Sequence, residues 1–312
     1  MSDGWIVERG VGEDRFALIE DGEIAEAYVE RPGELRVDSV HEGRLARKLG
    51  RRGEAEIAGD TCLVDPWPED MAEGALVKLR VAREAIPERG RMRSAKVSVA
   101  ASDDPSRQQD APNFAMTSRI AGWTDVIEEA RTGVVAFPGG LLTIVPTPAG
   151  TTMDIDGAGL AKELAVAGAA AAARAIRRLG LAGSILIDLP SVEGKTARMA
   201  AAEAFDAAMT GPYERTGMNG FGLLQVIRPR RRAALIERVQ NQLAQSGALD
   251  LFRRAEHAGA RQQLDLRAGV GIVSWLDARP ALMTDLNRRT GVAARLKIHG
   301  DDPLWWGDVH AL

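Results

Sequence analysis

The sequence predicts an α/β fold of α+β multidomain organisation, in which a small β-barrel precedes a parallel strand–helix–strand unit. Two observations carry the parallel unit. Apolar runs at Thr151 to Asp156 and at Ser184 to Asp188 each end in aspartate, and an alanine-rich segment of helical character separates them. A crossover through a helix makes the flanking strands parallel, so Asp154 and Asp188 fall at the same edge of one sheet. Ligands of open α/β sheets bind outside the carboxyl ends of the strands, and two carboxylates converging there suit a hard cation such as Mg²⁺. A third observation carries the barrel: short candidate strands with basic positions recur from 40 to about 99, the pattern of an OB-type barrel.

Taken in order, residues 5 to 30 alternate as half-buried strands around the Asp21-Gly22 turn signal, which predicts a hairpin. Candidate strands follow at His41 to Leu49, Ala55 to Val64, Ala75 to Arg83 and Met92 to Val99. The polar stretch Ala101 to Asn113 has two prolines and no apolar periodicity, and reads as a linker. A helix is expected near Arg119 to Arg131, with strands near Leu141 to Val145 and Thr151 to Ile155. Alanine content predicts a helix over Leu160 to Leu179, with arginines gathered toward its carboxyl end and Gly180 as its stop. A second helix at Thr196 to Met209 leads to a strand at Gly222 to Ile227. The chain then reads as helical from Arg231 to His257, followed by a strand at Gln262 to Leu266, two helices, and a strand at Ala293 to Ile298.

At 312 residues and 45% hydrophobic content the chain is long enough for two or more domains with real cores. The start of the sequence lacks the pattern of a signal peptide and no apolar run is long enough to span a membrane, so a cytoplasmic location is the expectation. Cys62 is the single cysteine, which excludes an internal disulfide and a zinc site built on paired cysteines. Net charge is −4, yet the cations are clustered: Arg44, Arg47, Lys48, Arg51 and Arg52; then Lys78, Arg80, Arg83, Arg89, Arg91, Arg93 and Lys96; then Arg228, Arg230, Arg231 and Arg232. Arginine far outnumbers lysine and favours bidentate phosphate contacts. Most basic runs are solvated faces; the cluster at 78 to 96 lies on adjacent candidate strands, where it can line a groove. His41, His257, His299 and His310 are scattered and form no ligand spacing.

Around the two aspartates, four short motifs stand in order: Gly139-Gly140 before an apolar strand, Met153-Asp154-Ile155-Asp156, Ala182-Gly183-Ser184-Ile185-Leu186-Ile187-Asp188, and Gly220-Phe221-Gly222-Leu223-Leu224. Together they resemble the catalytic region of the ribonuclease E/G family, and thinner similarity runs back to the opening hairpin, so that about 240 residues are covered. The resemblance implies a ribonuclease-H-like part at 1–35 plus 114–150 and an inserted OB-like RNA-binding domain at 36–100. It further implies a linker at 101–113, a DNase-I-like catalytic α/β region at 151–240, and a small C-terminal α/β domain at 241–312. It also implies a magnesium-dependent endoribonuclease acting on single-stranded regions of messenger or ribosomal precursor RNA. Asp154 and Asp188 match the family's metal ligands, with Mn²⁺ an alternative ion; Asp156 falls where the family has a metal-orienting asparagine and completes the catalytic set.

The expected RNA contacts are Arg44, Arg47, Lys48, Arg80, Arg83, Arg91, Arg93, Lys195, Arg228 and Arg230. Departures from the family are specific: Gly220 stands in place of arginine, Gln225 in place of glutamate, Ser191 lies where a second acid is expected, and Ala165 and Ala167 replace polar residues. No room exists between Lys96 and Arg119 for a sensor of the RNA 5′ end, and Trp67 is the only aromatic residue of the OB-like segment. The family's zinc link is absent, so any homo-oligomer uses a surface other than paired cysteines. Two further readings stand beside the nuclease: a non-catalytic RNA-binding protein that retains the fold, and an interaction scaffold with no RNA role.

Overall fold

The computed structural model describes residues 3–100, 114–300, 303 and 305–311; the expected linker at 101–113 lies outside the described residues. Alternating residues fold the start of the chain into β1 (Gly4–Arg9), β2 (Asp14–Glu20) and β3 (Glu23–Glu30), with Asp21-Gly22 as the two-residue turn. Next come β4 (Val40–Leu49), β5 (Arg52–Ile57), β6 (Asp60–Val64), β7 (Leu76–Arg83), β8 (Ile86–Glu88), β9 (Arg91–Arg93) and β10 (Lys96–Val99). After β11 (Ala115–Thr117) and α1 (Trp123–Thr132) lie β12 (Val134–Phe137), β13 (Gly140–Thr147), β14 (Gly150–Gly157), α2 (Ala161–Arg178), β15 (Gly183–Asp188) and α3 (Lys195–Ala208). The chain continues through β16 (Glu214–Arg215), β17 (Leu223–Arg228), α4 (Leu235–Asn241), α5 (Leu243–His257), β18 (Gln263–Ala268), α6 (Val270–Asp277), α7 (Pro280–Thr290), β19 (Ala293–Ile298) and β20 (Gly307–Ala311).

The fold is thus mixed α/β with a closed five-stranded barrel, and it divides into two compact units. One comprises residues 1–32, 114–127 and 238–312; the other comprises 33–113 and 128–237. This division differs from the sequence expectation at two places. β12 and β13 join the six-stranded sheet of β14 and β15 because β13 and β14 pair as a hairpin over eight registered positions, so 134–150 does not group with the N-terminal hairpin. The C-terminal segment shares a unit with β1 to β3. Single strands expected at Ala55 to Val64 and Met92 to Val99 are each divided, the first by a turn at Ala58-Gly59, and the helix expected over Arg231 to His257 breaks at Gln242.

In the first unit, β11-β1-β2-β3 form one sheet and β19-β18-β20 another. Beneath the first sheet lies a buried ionic lattice. Arg253 of α5 grips Glu8 with both ends of its guanidinium, at 2.8 and 3.1 Å, while Arg15 stands 3.3 Å from the same carboxylate and the Ile120 N–H donates to it at 2.7 Å. Arg31 bonds Glu13 at 2.9 Å and Gln242 at 2.8 Å. Burial pushes the Glu8 carboxyl up, but the hydrogen bonds from Arg253 and Ile120 and the charges of Arg253 and Arg15 outweigh it and hold the group below 4.5.

In the second unit, barrel strands run β10-β6-β5-β4-β7 and close through β10 on β7. Their inward residues, Leu45, Ala55, Ile57, Cys62, Val64, Leu79, Val81 and Val97, form its core with Trp67. Trp67 is buried and donates its indole N–H to the Met71 carbonyl at 3.1 Å, which removes the barrel's one aromatic ring from the surface. Cys62 is also sealed here; burial, then the nearby Asp60 charge, pushes its thiol up to about 11.

The six-stranded sheet runs β12-β13-β14-β15-β17-β16, with β14 parallel to β15. α2 and α3 lie against the face formed by Met153, Ile155, Ile185 and Ile187, all buried. Alanines at 165, 169, 172 and 173 give α2 a flat buried side, and its carboxyl end closes where Leu181 N–H reaches back to the Ile176 carbonyl at 2.9 Å. The closest approach falls at Gly168, where an added Cβ would lie 2.6 Å from Ile155 Cγ2. Among the described residues no helix is long and apolar enough to cross a membrane.

Two expectations follow. Gly168→Ala drives a methyl into Ile155 and should cost about 1–3 kcal/mol in denaturant unfolding; an unchanged midpoint would show that the helix can shift freely. Glu8→Ala leaves Arg15 and Arg253 buried without their carboxylate and should cost about 3–5 kcal/mol at pH 7. Because the folded-state pKa of Glu8 is depressed, its contribution is present above about pH 4.5 and is lost as pH falls through the folded value, so the gap between wild type and variant should narrow on acidification.

Candidate functional site

Strand periodicity places the acidic residues. With Met153, Ile155 and Ile187 facing the helices, Asp154, Asp156 and Asp188 must face the opposite side, and all three are exposed. Asp154 and Asp188 are register partners on the parallel strands, and Thr143 and Leu223 extend the row to either side. Adjacent strands lie about 4.8 Å apart and residues two apart on one strand about 6.6 Å, so the three carboxylates share one small patch. None of them forms an ion pair among the described residues. Partial desolvation, then the negative charges of Asp156 and Asp188, hold the Asp154 carboxyl above its usual 3.8, against the lowering effect of the Ile155 N–H.

A patch of unpaired carboxylates in which one pKa is raised by partial desolvation and then by its negative neighbours is the electrostatic condition that a cation relieves. Two carboxylates on one edge suffice for Mg²⁺, which keeps several waters and takes one or two protein oxygens. Among the described residues no group of three or more His, Cys, Asp or Glu is arranged to hold a metal, the three aspartates included, so the candidate site is the pair Asp154 and Asp188. Thr143, Thr152, Ser184 and Gln225 share this face with the exposed apolar residues Val134, Leu141, Val145, Leu186 and Ile227, and the helices cover the other side.

The expected RNA contacts separate into three places. On the barrel, Arg52 and Lys96 converge on Asp65 at 3.2 and 3.0 Å. The hydrogen bond from Lys96, followed by the Lys96, Arg52 and Arg51 charges, lowers the Asp65 pKa against a smaller desolvation. Lys96 is the register partner of Arg83, which is held below the usual arginine range by burial and then by Arg93 and Arg230. Arg83 Nε is buried without a hydrogen-bond partner, although its Nη2 donates to the Ser94 carbonyl at 2.7 Å. Arg51, Arg52, Lys96, Arg83 and Arg93 thus make one strip out of two clusters separate in sequence. Arg91 and Arg93 share Glu88, Arg47 pairs with Glu54 at 3.2 Å, Arg80 donates to the Asp38 carbonyl, and Arg44 and Lys48 are exposed.

Arg228 and Arg230 take other partners. Arg228 donates to the Ile176 and Leu181 carbonyls at the end of α2, and Arg230 pairs with Glu237. Arg228 is registered against Gly183, at the opposite end of β15 from Asp188, roughly 16 Å away. Lys195 is brought near the carboxylate end: it opens α3 and lines a cleft of about 430 Å³ with Arg198, Met199, Glu203, Arg215 and Met218.

Sequence reasoning missed Arg198, Arg215 and Phe221. Arg215 is locked to Asp206, which itself takes a hydrogen bond from Tyr213 at 2.8 Å. Arg198 donates to the Val192 carbonyl at 3.4 Å. Phe221 is 82% exposed in the loop beside Asp188, and the available signal was an aromatic flanked by two glycines, outside any apolar period. No protein-family model matches the chain, and no curated protein matches it. The functional reading therefore stands on these residues.

Replacing Asp188 with Asn removes one negative neighbour from Asp154, whose carboxyl should then titrate lower. Carboxylate-detected NMR titration measures this; an unmoved midpoint would mean that the two charges do not face one another.

Proposed function

We propose that the chain is a magnesium-dependent endoribonuclease that cleaves single-stranded RNA, with Asp154 and Asp188 as the metal ligands and Asp156 beside them. The observation that carries this reading is the registered pair of exposed, unpaired carboxylates on parallel strands. A bound Mg²⁺ supplies Lewis acidity at the scissile phosphate and lowers the pKa of an attacking water. Asp154 and Asp188 hold and orient that ion, and Asp156 adds negative charge or accepts a hydrogen bond from its hydration shell. The ribonuclease-H-like and DNase-I-like assignment of the surrounding sheets belongs to this proposal.

The barrel supports an RNA substrate. Numbering its strands in chain order, the first pairs with the second and fourth, and the third pairs in parallel with the fifth, as in an OB barrel. The loop between the first two strands carries Arg51, and the segment between the last two carries Arg89, Arg91 and Arg93, which are the loop positions such barrels use for oligonucleotides. The crowding of Arg83 by Arg93 and Arg230 is relieved by a phosphate bound along the strip.

One observation favours the second reading, a non-catalytic RNA-binding protein: the carboxylate row has no cationic neighbour in register, whereas Arg230, beside the barrel strip, packs against Gly183 at the other end of β15. The readings separate in one set of measurements. A nuclease loses cleavage in EDTA, and Asp154→Asn and Asp188→Asn each lower the rate on the order of 10²-fold or more while binding persists. Cleavage that survives EDTA and both substitutions would end the metal mechanism. A binder alone shows no cleavage, with affinity falling as salt rises at a slope of about −0.7 per phosphate contacted. No RNA affinity at low salt would leave only the scaffold.

A further inference from the structure

We infer that Phe221 is a nucleobase platform that places one nucleotide of the RNA beside the Asp154–Asp188 pair. This rests on the RNA-binding reading above and adds to it a subsite with a defined chemical preference, an unpaired planar base. Phe221 exposes 82% of its surface, more than any other large hydrophobic residue described, yet the turn that carries it is tightly built. The Asn219 carboxamide oxygen accepts the N–H of Phe221 at 2.9 Å and that of Leu223 at 3.0 Å, and Asn219 N–H donates to the Leu223 carbonyl at 3.0 Å.

Gly222 completes the turn. Its φ is +90°, its carbonyl accepts the Leu189 N–H at 3.1 Å, and a Cβ there would fall 2.1 Å from the Leu189 carbonyl oxygen. The turn is therefore fastened to the residue that follows Asp188, and Leu223 is the register partner of Asp188 itself. An aromatic ring held in water on a braced turn costs hydration without returning packing energy. A ring so displayed, two residues along the chain from Leu223 at the end of the carboxylate row, offers a π-face to a partner with a matching face.

The partner's chemistry is set by what adjoins the turn. Met218, three residues before Phe221, lines the cleft that also contains Lys195 and Arg198. Neither cation forms an ion pair among the described residues: Arg198 meets only the Val192 carbonyl, and Lys195 is exposed. An exposed aromatic face on a turn that leads, three residues back, into a cleft lined by Lys195 and Arg198 together with Glu203 suits a nucleotide, whose base stacks and whose phosphate is anionic. Stacking on aromatic rings is tolerant of base identity, so the subsite requires a base without specifying which.

The test uses the full chain and a short labelled single-stranded oligoribonucleotide at fixed salt, in EDTA so that cleavage does not intervene. Phe221→Ala should weaken binding roughly 5- to 100-fold, and Phe221→Trp should restore it. Scanning a single abasic nucleotide along the oligomer should find one position at which wild type is weakened by a similar factor while Phe221→Ala loses nothing more. Circular dichroism and the unfolding midpoint should be unchanged, since the ring is exposed and the turn is held by Asn219 and Gly222. If Phe221→Ala binds RNA as wild type does, or if no abasic position distinguishes the two proteins, the platform is refuted while the nuclease reading survives. Loss of self-association in place of RNA affinity would reassign the ring to a protein contact and refute it as well. If wild type itself binds no RNA at low salt, the functional reading fails and takes the platform with it.

Discussion

The close seat of α2 on one face of the six-stranded sheet governs what the other face displays. A helix surfaced with alanine lies nearer a sheet than one surfaced with leucine, and at Gly168 it meets Ile155 without a side chain of its own. Sealing Met153, Ile155, Ile185 and Ile187 beneath the helices leaves their neighbours in sequence no choice of side. A slip of one residue in β14 or β15 would bury a carboxylate and expose an isoleucine, and both changes are unfavourable. The acidic patch is thus maintained by hydrophobic packing on the far side of the strands that carry it.

That arrangement explains which parts of the molecule were legible in the sequence. The pairing of Asp154 with Asp188 could be read directly, because an apolar run, a helix and a second apolar run admit few topologies and the right-handed crossover selects among them. The ends of α2 and the Asp21-Gly22 hairpin were legible for the same reason: local chemistry and tertiary structure agree there. The assignment of β12 and β13 to the central sheet was not, since nothing local in Val134 to Thr147 names its partner, and neither was β20, a short strand after a glycine- and acid-rich segment. Charge was the least legible property. Arg228, Arg230 and the barrel arginines look alike in sequence, yet Arg228 closes the carbonyl end of α2, Arg230 answers Glu237, and Arg83 is left crowded by other cations.

The barrel cations and the carboxylate row therefore stand at a distance along the sheet, with Lys195 brought to the carboxylate end. The barrel is fastened to the segment after β17 through the Glu84 N–H to the Arg231 carbonyl and through the Arg231–Asp38 and Arg232–Glu84 pairs. That segment follows Arg228, at the end of β15 remote from Asp188. In the proposed reading, an extended strand of several nucleotides is needed to engage both, which disfavours very short substrates and compactly folded ones. With Trp67 committed to the barrel core, the strip recognises backbone charge and leaves base contacts to be made elsewhere.

The sealed thiol of Cys62 has a practical consequence. Its pKa of about 11 and its place inside the barrel keep it protonated and out of reach at neutral pH, and the chain holds no second cysteine. A cysteine introduced at any exposed position becomes the sole nucleophilic thiol without prior removal of the native one. The molecule is in that sense already prepared for attachment of a single spectroscopic probe, and the distance from such a probe to either end of the sheet can be followed in the otherwise unaltered protein.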